Sequence, residues 1–375
     1  MNKRTSRIRP LKPGAIGTGL LALDVVVNVD SGEQPRSYAG GTCGNVLTIL
    51  RYLGWHAAPI SRLARGPAAE RLLADLASWQ VATEFVSVDD GGSTPVIIER
   101  IARRPGGEPY HTFSWRCPGC GARLPGYRPV LATTAQALAG KLPPSQVFFF
   151  DRVSRGTLHL ARAGAGWGAV VVFEPSAVGD PDLFREAWAL SHVVKYSHER
   201  LRDIADLEFM RSDREGVLLE VETLGPEGLR FRSRIPRART GGWRRLAAFT
   251  PEVFRDAAGS GDWCTAGILH RLARGGLRGL QSVSNDRLQD ALRYGQALAA
   301  WNCGFEGARG GMYQVNRVTF ERQVGKIRKG GEAVPARSGE EAAAAANLIG
   351  RFCPSCKGTE FAPPPRGSNG VAAQG

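Results

Sequence analysis

Two short runs, Val147-Phe148-Phe149-Phe150 and Ala169-Val170-Val171-Val172-Phe173, set the tightest limit on the fold. Runs this brief, apolar on both faces, suit strands buried on both sides of a parallel sheet, and they are far too short to cross a bilayer. Further strand-like segments at residues 15–27, 192–196, 217–223 and 229–233 alternate with helical patterns at 68–79 and 157–165. That alternation predicts an α/β fold, a doubly wound sheet with helices on both faces, in which ligands collect at the carboxyl ends of strands. Between residues 94 and 130 the pattern changes. Pro95-Val96-Ile97-Ile98-Glu99-Arg100 and Tyr110-His111-Thr112-Phe113-Ser114-Trp115 read as two strands across a Gly-containing turn.

A chain of 375 residues is long enough for one large domain plus a smaller appendage, or for two domains. Its net charge of +14 comes mostly from arginines scattered over the whole length. No aromatic-interleaved basic motif accompanies them, so no specific nucleic acid is expected, although the charge favours anionic ligands such as nucleotide phosphates. Residues 1–13 are basic, but Pro10, Pro13 and Asp24 make them a flexible leader entering a first strand instead of a signal peptide. Seven cysteines, an odd number with two pairs at C-x-x-C spacing, predict a reducing cytoplasmic setting; no membrane partner is expected.

The chemistry is concentrated at Asp256-Ala257-Ala258-Gly259-Ser260-Gly261-Asp262-Trp263, a glycine-rich turn that ends in a carboxylate and runs into the apolar stretch from Cys264 to Leu272. Glycines let N–H groups converge on an anion, a helix N-terminus adds its positive end, and a carboxylate takes a proton from an attacking hydroxyl. Alone, such a turn is no more than a tight loop, and an Asp after glycine is commonly a helix cap. A second segment, Ala39-Gly40-Gly41-Thr42-Cys43-Gly44-Asn45-Val46, again opens an amphipathic helix through Val46, Leu47, Ile49, Leu50 and Leu53.

These two segments, in this order, resemble the signatures of the ribokinase-like, PfkB-type sugar and nucleoside kinases. The family's C-terminal signature reads Asp-Thr-x-Gly-Ala-Gly-Asp; here Ala257 and Ser260 replace the usual Thr and Ala, small for small. The resemblance spans residues 14–311 and includes Gly17-Thr18-Gly19-Leu20-Leu21-Ala22-Leu23-Asp24 and Glu222-Thr223-Leu224-Gly225-Pro226-Glu227-Gly228-Leu229. It implies a kinase domain over 14–325, with a small β lid formed by strands around 28–40 and 94–115 and a Cys-containing insertion at 116–130.

It also implies an activity: ATP-dependent transfer of the γ-phosphoryl group to a hydroxymethyl group of a sugar or nucleoside. Asp262 would be the base, with Gly259, Ser260 and Gly261 as the anion hole; Asp24, Gly40, Gly41 and Asn45 would hold the acceptor. Thr223, Gly225 and Gly228 would line the nucleotide pocket, and Mg2+ would accompany the phosphates. One segment departs from the pattern: Lys195-Tyr196-Ser197-His198-Glu199-Arg200 has Ser197 where Asn is usual and Glu199 one place early for the glutamate that organises magnesium-bound phosphate. Glu199 is the candidate for that role through a shifted helix start. The departure leaves open a second reading, a kinase-derived binding or regulatory protein, and the edge-strand argument leaves open a homodimer through the lid.

Outside the family plan stand Cys117-Pro118-Gly119-Cys120 and Cys353-Pro354-Ser355-Cys356. Four thiolates satisfy a tetrahedral zinc ion, so Cys117, Cys120, Cys353 and Cys356 are expected to share structural Zn2+, within one chain or between two. The other reading is two unrelated dithiols. Residues 326–375 form a C-terminal extension, with an Ala-rich helix at 340–351 and a disordered tail beyond 360.

Overall fold

Residues 147–150 form a strand whose side chains alternate between two cores, Val147 and Phe149 in one, Phe148 and Phe150 in the other. An uninterrupted apolar run requires this, since successive strand residues face opposite ways. Each Phe buried there contributes about 2–3 kcal/mol of transfer free energy. A computed structural model describes residues 12–31, 34–201, 216–330 and 348–356.

In chain order the first half runs β1 (Gly14–Thr18), β2 (Ala22–Asn28), β3 (Arg36–Gly40), α1 (Thr42–Tyr52), β4 (His56–Leu63), α2 (Pro67–Ser78), β5 (Val86–Val88), β6 (Val96–Arg103), β7 (Pro109–Ser114), α3 (Ala132–Ala139) and β8 (Val147–Phe150). Then come α4 (Arg155–Gly166), β9 (Val170–Phe173), α5 (Pro181–Ala189), β10 (Val193–Ser197), β11 (Leu219–Thr223), β12 (Leu229–Ser233) and β13 (Arg244–Leu246). The remainder is helical: α6 (Ser260–Leu272), α7 (Gly276–Gln281), α8 (Asn285–Asn302), α9 (Gly310–Gln314), α10 (Arg317–Arg328) and α11 (Leu348–Phe352).

The central sheet has nine strands in the order β13-β12-β11-β10-β9-β8-β1-β4-β5. It is parallel from β11 to β5, with β12 and β13 antiparallel at one edge. Helices α1, α6 and α8 pack on one face and α4 and α5 on the other, as a doubly wound sheet demands. The chain leaves β1 toward β4 on one side and returns through β8 on the other. The crevice beyond the carboxyl ends of β1 and β8 is therefore the topological switch point.

Residues 15–27 are not one strand. The central strand ends at Thr18, Gly19 takes φ +147°, and β2 begins at Ala22 in a second sheet of order β3-β2-β6-β7. The break lets the Leu20 N–H donate to Asp151 Oδ1 at 2.9 Å across the switch point. In the second sheet β6 and β7 form the expected hairpin, and β2 pairs parallel to β6 and antiparallel to β3. Leu23, Val25, Val96 and Ile98 pack one face of it against Leu72 and Leu76 of α2. Of the helix expected at 340–351, Leu348–Phe352 is seen as a short helix and 340–347 lie outside the described residues, as do residues 1–11 and those beyond 356. Among the described residues no helix is long and apolar enough to cross a membrane.

Candidate active site

The turn before α6 is built around Asp256. Its Oδ1 accepts the Ala258 N–H at 3.0 Å and its Oδ2 accepts the Gly307 N–H at 2.8 Å, while Asn302 Nδ2 donates to the Ala258 carbonyl at 2.8 Å. Gly259 then adopts the left-handed region at φ +68°, and a Cβ there would stand 2.3 Å from the Ala308 carbonyl oxygen. Glycine is required on both counts. The helix starts at Ser260, with Asp262 in its first turn and the Trp263 indole donating to the Ala308 carbonyl at 3.1 Å. Trp263 packs edge-on against Trp301 and fixes the direction in which the helix points.

Asp262 is 9% exposed, and its Oδ2 accepts from Asn45 Nδ2 at 2.7 Å. Burial pushes its carboxyl up to about 7, Glu174 adds to the rise, and the Asn45 hydrogen bond opposes it. Asn45 Oδ1 in turn accepts from Arg309 Nε at 3.1 Å, and Arg309 Nη2 donates to Asp75 Oδ2 at 3.0 Å and to the Ala39 carbonyl. Asp75, on α2, also accepts from Tyr313 and from the Ala39 N–H. Five elements, β3, α1, α2, α6 and α9, thus meet at one buried polar chain.

Asp24 comes to the same place from β2. Its carboxylate lies over Gly40 so closely that a Cβ on Gly40 would stand 1.8 Å from Oδ2. Burial lifts this group to about 7, with Arg309 and the Gly41 N–H pulling downward. Asp24 Oδ1 and Arg309 Nη1 are both buried without a hydrogen-bond partner. A buried acceptor and a buried charged donor left open in one site are what a polyhydroxyl ligand would satisfy. Asp24, Gly40, Gly41, Asn45 and Asp262, singled out in the sequence, are therefore brought together.

The other side of the turn faces a second polar group. A Cβ on Gly261 would stand 3.6 Å from Lys195 Nζ and 3.9 Å from Glu174 Oε1. Lys195, on β10, donates to Glu174 Oε1 at 2.7 Å, and Thr265 of α6 donates to Glu174 Oε2 at 2.5 Å. Asp151, at the end of β8, is buried and raised to about 6, mainly by loss of solvent. These groups project from the carboxyl edge of the parallel strands. Thr223 and Ser197 are register partners at that same edge, and Gly225 and Gly228, both at positive φ, shape the turn into β12. Glu199 stands exposed in the turn after β10; the carboxylate beside Gly261 is Glu174.

Sequence reasoning missed Arg309, Asp75, Lys195, Glu174 and Asp151. Signals existed for three: Lys195 interrupts the apolar run 192–196, and Asp151 and Glu174 each follow a strand of four apolar residues. Arg309 and Asp75 read as ordinary surface charges.

The four knuckle cysteines also converge. Sγ separations are 3.6 Å for Cys117–Cys356, 3.6 Å for Cys120–Cys353 and 3.2 Å for Cys120–Cys356. All four sulfurs lie within 4.8 Å of one another, within a single chain. Thiolates around a tetrahedral zinc stand about 3.7 Å apart, so the cluster fits that ion.

No family model and no curated protein matches this sequence. Solved structures do match. The chain is similar to a Burkholderia thailandensis nucleoside kinase in complex with ADP-inosine, at TM-score 0.59 and 16% identity over 88% of this chain and 99% of that one. It is similar to aminoimidazole riboside kinase from Salmonella enterica, complexed with aminoimidazole riboside and an ATP analog, at TM-score 0.60 and 19% identity over 84% and 99%. A Xylella fastidiosa fructokinase with bound ATP matches at TM-score 0.60 and 18% identity over 80% and 94%. The chain has the ribokinase-like fold, a large mostly parallel sheet flanked by helices, shared with sugar and nucleoside kinases.

Proposed function

We propose that this chain is an ATP-dependent kinase of the ribokinase-like, PfkB type, transferring the γ-phosphoryl group to a hydroxymethyl group of a sugar or nucleoside. The observation that carries the reading is Asp262: a buried carboxyl, raised to about 7, in the first turn of α6 and tied through Asn45 to the pocket of Asp24, Gly40 and Arg309. A base poised near neutrality beside a helix N-terminus suits proton removal coupled to phosphoryl transfer.

In this reading Asp24 and Asn45 bond the acceptor hydroxyls, with Gly40 and Gly41 allowing the close approach. Asp262 takes the proton of the hydroxymethyl group as its oxygen bonds to the γ-phosphorus. The bond from that phosphorus to the bridging oxygen breaks, and its electron pair leaves on ADP. N–H groups of Gly259 and Gly261 receive the charge on the phosphoryl oxygens, joined by that of Ser260 once it leaves the Ala257 carbonyl to which it donates at 3.1 Å; the effect is worth about 3–4 kcal/mol per well-placed donor in comparable sites. Lys195 adds a fixed positive charge below Gly261. Thr223, Gly225 and Gly228 border the nucleotide. Magnesium, a hard cation that needs oxygen ligands, would find carboxylates in Glu174 and Asp151 and would neutralise phosphate charge when bound; Glu199 is exposed and serves only if the turn after β10 closes.

Structural zinc at Cys117, Cys120, Cys353 and Cys356 completes the proposal. Cys117, Cys353 and Cys356 sit in one apolar cluster with Leu124, Phe352 and the α2 residues Leu72 and Leu76, and the exposed Cys120 closes the set from outside, so an ion there would clip the C-terminal extension to the lid side of the molecule. The activity is tested by acceptor-dependent ADP release across a panel of sugars and nucleosides. Release stimulated by at least one acceptor is expected; no stimulation by any, with ATP binding intact, favours the binding-protein reading.

A further inference from the structure

Glu99, on β6, is 1% exposed; no N–H or hydroxyl donor reaches either carboxylate oxygen, and the group in contact with it is the carboxyl of Asp256. An unpaired buried carboxylate costs several kcal/mol, so something must balance it. The groups that act on it are themselves acidic: Asp256, Asp24 and Glu306. Across the β6–β7 register Glu99 faces Phe113 and Ile101 faces His111, which puts His111 diagonal to Glu99 on the same face of the hairpin. His111 Nδ1 lies 2.7 Å from Asp256 Oδ1, and one ligand atom from each of Glu99, His111 and Asp256 falls within 4.8 Å of the others.

We propose that Glu99, His111 and Asp256 form a second metal site, which takes a first-row divalent cation through one imidazole nitrogen and two carboxylates. That mixed nitrogen and oxygen set suits Zn2+ or Mn2+ better than Ca2+ or Mg2+. Ligand atoms on a shell about 2.1 Å in radius stand roughly 3.0–3.5 Å apart, so the 2.7 Å contact opens by about 0.3–0.8 Å while the wider separations, all within 4.8 Å, close onto the ion. Asp256 is already oriented by the Ala258 and Gly307 N–H groups, as metal-bound carboxylates are held by their surroundings. The site differs from the four-cysteine cluster in ligands and in place. It joins two strands of the second sheet to the loop that leads into Gly259 and Asp262, so the ion would hold that sheet down over the acceptor pocket. This last consequence rests on the kinase reading; the binding does not.

The test is Mn2+ binding to the full chain, with zinc retained at the cysteines and no nucleotide or acceptor present, read by loss of the free-ion electron paramagnetic resonance signal. One bound Mn2+ per chain, displaced by added Zn2+, is expected. Glu99→Gln should abolish it, and His111→Ala should weaken it by about tenfold or more. Because no turnover is measured, a failure here is separate from a failure of the proposed activity. Three results would overturn the site: no binding up to millimolar metal, binding unchanged in both folded variants, or no metal with a carboxylic-acid infrared band that Glu99→Gln removes, which would assign the balancing charge to a proton.

Discussion

Asn45 Nδ2 donates to Asp262 Oδ2 at 2.7 Å, joining α1 to α6 across 217 positions of sequence. The bond holds the proposed base toward Asp24 and Arg309. Burial sets the titration of both carboxyls at about 7, and each acts as the anion. The acceptor-dependent rate is therefore expected to rise with pH through about 7 and level off above it. A pH–rate profile flat between 5 and 8 would contradict this.

Stability should run the other way for the same group. Asp262 is raised from 3.8 to about 7, so the part of the folding free energy linked to it is fully present below 3.8 and is lost as pH rises through about 7. Thermal unfolding of the wild type should fall between pH 6 and pH 8 more steeply than that of Asp262→Asn, which has no such proton to lose. Parallel slopes would remove the buried acid from the account.

Gly259 and Gly261 should respond oppositely to alanine. At Gly259 a methyl meets the Ala308 carbonyl at 2.3 Å in a left-handed backbone, so Gly259→Ala is expected to cost about 2 kcal/mol or more of stability. At Gly261 the nearest atoms stand at 3.6 Å and 3.9 Å, ordinary contact distances, and the position is helical. Gly261→Ala should fold as well as the wild type or better, yet lose about a hundredfold in turnover because the methyl occupies the phosphoryl side of the turn. Chemical denaturation and steady-state rates on the two variants check this.

Arg309 is expected to combine structural and binding roles. Arg309→Met leaves the buried Asp75 with Tyr313, the Ala39 N–H and the half-exposed Arg71 guanidinium at 3.9 Å, which predicts a loss of about 3 kcal/mol in urea unfolding. Arg309→Lys keeps the charge but not the forked geometry, and should raise the acceptor KM more than it lowers stability.

Removing the proposed zinc should loosen one region selectively. Metal analysis is expected to give zinc at the cysteines, and Cys353→Ser should remove one equivalent per chain, lower Tm by several degrees and open residues 348–356 to protease. Protein free of metal, with four freely reactive thiols and an unchanged Tm, would contradict the clip.

What the sequence makes legible follows from how narrowly physics limits a residue type. Gly259 and Gly40 were visible because backbone at positive φ, or a carboxylate packed on a main chain, admits only glycine. The 147–150 and 170–173 strands were visible because burial on both faces leaves no polar position. Cys117, Cys120, Cys353 and Cys356 were visible through spacing alone. Arg309 and Asp75 were not, because a buried ion pair carries no local pattern: its partners lie 234 positions apart and meet only once α2 docks on the second sheet. Gly19 hid the change of sheet, since an apolar stretch with one glycine reads as continuous until Asp151 is seen to claim the Leu20 N–H.

The central claim, that Asp262 takes the acceptor proton in the glycine turn, is tested most directly by comparing wild type and Asp262→Asn at pH 8 with any acceptor that stimulates ADP release. Unchanged ATP affinity and an unaltered fold are expected, with turnover reduced about a hundred- to ten-thousandfold. Wild-type turnover in Asp262→Asn would contradict it.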